Sequence, residues 1–150
     1  VIDLYGQSIL LMHGDSLCTS DSEYMAFRAQ IRNPDMQQML LSKSLDERRG
    51  IAKMLREKSQ SANATKAADI MDVTPSEVVK ALRDHNVDIM IHGHTHRPAV
   101  HSLTIDDEQQ TKAKRYVLGD WDSQGWCITA SKDKQSTEST LSLQLESFDF

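Results

Sequence analysis

Long apolar runs are missing from this chain. Nowhere do about 18 consecutive apolar residues occur, so no segment reads as a transmembrane helix. Cysteine is scarce. Cys18 and Cys127 lie far apart with no C-x-x-C pair, which argues against a disulfide scaffold or a thiolate zinc site and suggests a reducing compartment. A basic excess is lacking too: the formal net charge is −5, so no general positive field marks nucleic acid as a partner. The first residues do not read as a signal peptide. Internal repeats and low-complexity tracts are not visible.

What remains is an ordinary globular composition. With 39% hydrophobic and 26% charged residues over 150 positions, the chain fits one domain. A chain of this length can bury roughly 70% of its unfolded surface. Val1, Ile2 and Leu4, a Gly6-Gln7 turn, and then Ile9 to Met12 predict a hairpin whose second strand is buried on both faces. Because Val1 is not methionine and Val1 to Leu4 already reads as strand, the sequence is expected to begin in the middle of a fold. From Asp21 to about Asp72 the pattern is helical. Asp21 or Ser22 can cap a first helix that Asn33-Pro34 ends, and a short helix with Met36, Met39, Leu40 and Leu41 follows. Ser44 and Glu47 form a capping box for a longer helix with Ile51, Met54, Leu55 and Lys58 on one face. Thr74-Pro75-Ser76-Glu77 reads as a second capping box. Val87 to Ile91 is the next buried strand. Four more strands are predicted over Ala99–Ile105, Arg115–Leu118, Trp126–Ala130 and Thr140–Leu145, with polar connections from Asp106 to Lys114 and from Ser131 to Ser139.

Both buried strands empty into histidine loops. The first ends at His13-Gly14-Asp15, the other at His92-Gly93-His94-Thr95-His96. Three of the six histidines fall within five residues, directly after a buried strand, which is a poor pattern for scattered surface histidine. Neutral imidazole is a preferred ligand for zinc, manganese and iron, so metal binding is expected there. A lone histidine at a strand end is more often structural. A second histidine loop at the end of another strand of the same domain makes His13 a candidate as well.

Met12-His13-Gly14-Asp15, followed by Ile91-His92-Gly93-His94-Thr95-His96-Arg97-Pro98, resembles the back half of the calcineurin-like metallophosphoesterases. The stretches LYGQSILLMHGDSLCTSDSEYMAFR, SQSANATKAADIMDV and IHGHTHRPAVH narrow the resemblance to the UDP-2,3-diacylglucosamine hydrolases of lipid A synthesis along almost the whole chain. That resemblance implies an α/β fold, a β-sandwich flanked by helices, with a helical cap inserted over about residues 21–72 and the N-terminal part of the fold absent. It implies two manganese ions, with His13 and His94 on one and His96 on the other, and His94 also touching the substrate at the catalytic centre. Asp21, Ser59, Asn63 and Lys66 fall at matching substrate-binding places. The implied reaction is hydrolysis of the diphosphate of UDP-2,3-diacylglucosamine to UMP and 2,3-diacylglucosamine 1-phosphate. The implied setting is peripheral, on the cytoplasmic face of the inner membrane, with the acylated UDP-sugar as partner and no nucleic acid. The cap would offer an apolar chamber for acyl chains, lined by such residues as Met25, Phe27, Ile31, Met36 and Met54. Arg48, Arg49, Lys53, Arg56 and Lys58 give it a basic face suited to anionic headgroups, although such a face is more often plain solvated charge.

The family also uses an upstream Asp-x-His block, a Gly-Asp block and a Gly-Asn block, none of which is identifiable here. Gly119-Asp120 sits far downstream. Three readings stay open beside the first: a phosphoesterase with another substrate, a truncated remnant that binds lipid or metal without turnover, and a structural zinc module. The last needs four ligands where His13, His94 and His96 supply three. Half a sandwich leaves a sheet edge and an apolar face exposed, so poor solubility or self-association of the 150-residue chain is expected. Size-exclusion chromatography checks this, and a monodisperse, cooperatively melting monomer would count against it.

Overall fold

The computed structural model describes residues 1–63, 70–106, 108–132 and 141–150, with the side chains of 62 and 63 left aside. The chain divides into two compact units, one formed by Val1–Leu17 with Val73–Phe150 and the other by Cys18–Asp72. Among the described residues no helix is long and apolar enough to cross a membrane.

The first unit is mixed α/β. It holds strands β1 (Ile2–Leu4), β2 (Gln7–Met12), β3 (Ile89–His92), β4 (Ala99–Asp106), β5 (Thr111–Val117), β6 (Gly125–Lys132) and β7 (Leu141–Phe148), and helix α4 (Pro75–Asp84). Five strands form a mixed sheet in the order β1-β2-β3-β5-β4, and β6 and β7 pair separately. The β1-β2 hairpin turns on Tyr5 and Gly6, at φ 56° and 87°. Positive φ at both central residues is what a two-residue hairpin turn needs for its twist to match the strands. Strands β2, β3 and β5 run parallel to one another, and β1 and β4 close the two edges antiparallel.

Residues opposite one another in a sheet share a face. One row therefore runs Leu11, Ile91, Tyr116, Val100 across the sheet. Its centre is closed: Ile91 and Tyr116 are 6% and 4% exposed, and with Ile9 they pack against Ile128, Leu141, Leu143 and Leu145 of the β6-β7 pair. Burial also raises the Tyr116 hydroxyl above its ordinary value. The ends of the row are open, with Leu11 at 52% and Val100 at 50% exposed. Two strands are too narrow to cover five. The expectation that β2 is buried on both faces thus holds for Ile9 and Leu10 and fails at Leu11. The opposite face buries Leu10, Met90 and Arg115. Helix α4 buries Val78 and Leu82, and the Arg83 Nε donates to the Ile105 carbonyl on β4 at 2.6 Å.

Helix α4 starts at Pro75 as predicted, but the second capping box does not form. Thr74 makes no side-chain cap bond, and its N–H, the group Glu77 would need, donates instead to the Leu17 carbonyl at 2.8 Å. Strand β5 begins four residues earlier than Arg115, because Thr111 to Lys114 pair with β4 rather than looping out. The Asp106–Lys114 connection is correspondingly shorter. Residues 133–140 of the second predicted connection lie outside the described ones.

The second unit carries α1 (Ser22–Ile31), α2 (Pro34–Leu41) and α3 (Leu45–Asn63). Asp21 is the N-cap of α1, accepting from the Tyr24 N–H at 2.9 Å. Asn33 caps α2 through the N–H groups of Asp35 and Met36. At α3 the box is complete: Glu47 N–H donates to Ser44 Oγ, and the Ser44 N–H and hydroxyl both donate to Glu47 Oε2, at 2.9 and 2.7 Å. Those bonds hold the Glu47 carboxyl below its ordinary value. Neither α1 nor α2 has a buried residue, and Phe27, Met39, Leu41 and Met54 are exposed.

Two substitutions separate core from cap. Leu82→Ala removes a fully buried side chain and is expected to cost about 2–5 kcal/mol. Ser44→Ala loses one cap and is expected to cost about 1 kcal/mol. Denaturant melts followed by circular dichroism read both.

Candidate metal centre

The register of the parallel strands decides what meets what. Met12, His92 and Val117 lie side by side at the carboxyl ends of β2, β3 and β5. The chain therefore leaves all three strands at one edge, the edge at which open α/β sheets place ligands. Backbone bonds hold the loops together: the Gly93 N–H donates to the His13 carbonyl at 3.1 Å and the Leu118 N–H to the His92 carbonyl at 2.8 Å.

Two sequence-predicted ligands meet there. The rings of His13 and His94 lie 4.9 Å apart between centroids, tilted by 58°. His13 Nδ1 sits 3.1 Å from Oδ1 of the buried Asp15. An imidazole whose Nδ1–H points at a carboxylate presents Nε2 with a free lone pair, the arrangement that orients many metal-binding histidines. Asp120 Oδ2 lies near His96 as well, 3.6 Å from its Nδ1, which is beyond hydrogen-bond distance. The downstream Gly119-Asp120 pair is thus a neighbour of the histidine loop, because β5 lies beside β3. Sequence reasoning set it aside on chain distance. The signal that could have found it was the apolar Tyr116-Val117-Leu118 stretch running into Gly119-Asp120, the same strand-into-loop pattern as at His13.

The backbone is unusual at the last two histidines of the second loop. His94 and His96 have φ of 66° and 54°. Left-handed conformation at a residue with a Cβ costs on the order of 1–3 kcal/mol, and such residues cluster at functional sites. Between them, Thr95 Oγ1 is buried with no hydrogen-bond partner among the described residues. The third histidine, His92, is 1% exposed and faces the interior. It belongs to the scaffold and not to the exposed set.

Other predicted residues lie in the second unit. Asp21 is buried at the start of α1, its carboxylate holding the Tyr24 N–H. Ser59 is exposed on α3, and Asn63 is the last residue of that helix. Lys66 lies outside the described residues. The basic face of α3 is partly neutralised, since Arg49 pairs with Asp46 at 3.1 Å and Lys53 approaches Glu57 at 4.0 Å.

In kind, the donors suit an ion bound through imidazole nitrogen. In number they are incomplete: among the described residues no three His, Cys, Asp or Glu come together closely enough to hold an ion. A surface cleft lined by Gln7, Arg83, Asn86, Asp88 and Thr111 contains none of the candidate residues.

No protein-family model matches the chain. Curated proteins do. The chain is 58% identical over 131 residues to the UDP-2,3-diacylglucosamine hydrolase of Cellvibrio japonicus, a match covering 87% of this chain and 53% of that protein. It is 57% identical over 134 residues to the protein of the same name from Marinobacter nauticus, covering 89% of this chain and 54% of the relative. Against that of Pseudomonas fluorescens strain Pf-5 the identity is 47% over all 150 residues, or 56% of the relative. The chain spans about half the length of the curated relatives it matches. Over about half their length, then, this mixed α/β chain is similar to the UDP-2,3-diacylglucosamine hydrolases.

Proposed function

We propose that this chain contributes histidine ligands and substrate-binding residues to a metal-dependent hydrolase of the calcineurin-like metallophosphoesterase fold. The reaction is cleavage of the diphosphate of UDP-2,3-diacylglucosamine to UMP and 2,3-diacylglucosamine 1-phosphate in lipid A biosynthesis. The observation that carries this reading is the meeting of His13 and His94 at one sheet edge in a chain 58% identical to a protein of that name.

His13 and His94 would hold one ion and His96 the other, manganese being the metal expected. Bound there, the ions would lower the pKa of a water and neutralise charge on the phosphoryl group. The protein's own part is positional. Asp15, 3.1 Å from Nδ1 of His13, would orient that ring and leave its Nε2 for an ion, and His94 and His96 both sit in left-handed backbone. Thr95 Oγ1 gives the loop a polar atom still to be satisfied. Asp21, Ser59, Asn63 and Lys66 belong to the same reading as contacts to the acylated UDP-sugar, with His94 touching both metal and substrate. A peripheral place at the cytoplasmic face of the inner membrane goes with such a substrate.

The lack of a three-ligand cluster among the described residues favours a second reading for the chain by itself, metal or lipid binding without turnover. One assay separates the two. Manganese-dependent UMP release is measured for the 150-residue chain, for the chain joined to the unmatched half of the Cellvibrio japonicus relative, and for His94→Ala in each. The joined protein is expected to release UMP and to lose about 100-fold or more with His94→Ala. The chain alone is expected not to exceed its own control. A joined protein that cleaves small phosphodiesters but not the lipid substrate would sink the substrate assignment.

A further inference from the structure

Nothing in the proposed chemistry uses His92, the most deeply buried of the titratable groups near the site at 1% exposure. Its surroundings are specific. Nδ1 lies 2.9 Å from the Gly93 carbonyl oxygen and Nε2 lies 3.3 Å from a terminal nitrogen of Arg115, itself buried. A carbonyl can only accept and a guanidinium can only donate. The ring must therefore carry its hydrogen on Nδ1 and accept at Nε2, which makes it the neutral Nδ1–H tautomer. Both nitrogens are then engaged, and neither is offered to a metal.

The ring also meets the other loop. A Cβ placed on Gly14 would stand 2.7 Å from His92 Nδ1, 3.2 Å from Cγ and 3.3 Å from Cβ. Gly14 has φ of 101°, so it gives up both the side chain and the ordinary backbone region at the point where the ring lies against it. The Gly93 N–H reaches across to the His13 carbonyl next to that contact. One imidazole thus touches the residue after His13 and fixes the carbonyl of the residue before His94.

We propose that His92 is a positioning residue. Anchored by Arg115 and seated on Gly14, it sets the His13 loop and the His94 loop in the register that brings their rings to 4.9 Å. This role follows from the ring's contacts with Arg115 and Gly14. Its value for metal binding rests on the function proposed above.

The test uses the full 150-residue chain and nuclear magnetic resonance. In the unsubstituted protein, long-range proton–nitrogen spectra are expected to show His92 as the Nδ1–H tautomer, and a nuclear Overhauser contact is expected between the rings of His13 and His94. His92→Phe keeps the ring shape and loses both bonds, and is expected to abolish the contact while the chain stays folded. His92→Asn, which restores a donor to the Gly93 carbonyl, is expected to recover it in part. If His92→Phe does not fold, Gly14→Ala, which pushes the ring from the other side, is expected to weaken the same contact. Titration with Mn2+ alone should show affinity reduced by about 10–100-fold in His92→Phe, the range found when groups orienting ligands are lost. An Nε2–H tautomer in the unsubstituted chain, or an undiminished His13–His94 contact in folded His92→Phe, overturns the proposal. A chain that binds no Mn2+ counts against the metal reading only, and the ring contact still decides the positioning role.

Discussion

Parallel pairing of β2, β3 and β5 puts Met12, His92 and Val117 level with one another, and the geometry of the histidine site follows from that alignment. In a parallel ladder neighbouring chains point the same way, so whatever follows each strand emerges at the same edge. The His13 loop, the His94 loop and the Asp120 loop have no common sequence neighbourhood. They share a place because their strands end together. A slip of one residue between β2 and β3 would turn His92 out of the interior and carry His13 away from His94. The register is protected by what it buries, since Leu10 and Met90 lie on one face and Ile9 and Ile91 on the other.

Burial on the two faces is unequal. Towards β6 and β7 only the middle of the sheet is covered, and the row from Leu11 to Val100 is closed at Ile91 and Tyr116 but open at both ends. Apolar ends of this kind on a five-stranded sheet fit a chain that matches about half the length of its relatives. The helical unit shows the same economy of burial: Phe27, Met39, Leu41 and Met54 stay exposed. The local rules there are nevertheless fully satisfied. Each of its three helices begins on a side chain that accepts from the first turn, Asp21, Asn33 and Ser44 in order. Capping acts within a turn, so it is met whether or not the apolar faces are buried.

Much of this was legible in the residues. The Ser44–Glu47 box, Pro75 as the opening of α4 and the alternation of Leu141, Leu143 and Leu145 all rest on interactions within a few positions, and all are present. The failures came where a distant partner won. Thr74 gives its N–H to Leu17 instead of Glu77, and Thr111 to Lys114 join β4 although their composition is that of a polar turn. Leu11 looked buried because its neighbours are apolar, and it is exposed because nothing in the described chain lies over that end of the sheet.

The histidine motifs divide along the same line. Sequence by itself determined that His13, His94 and His96 follow buried strands, since hydrophobic periodicity and residue type are properties of short segments. It also marked the likeness to the curated hydrolases, through motifs long enough to be specific. Only the tertiary structure decided that His13 faces His94, that Asp120 lies beside His96, and that His92 is spent on Gly93 and Arg115. Those are contacts between strands far apart in the chain. Their geometry depends on sheet order and register, and no local pattern of residues encodes either.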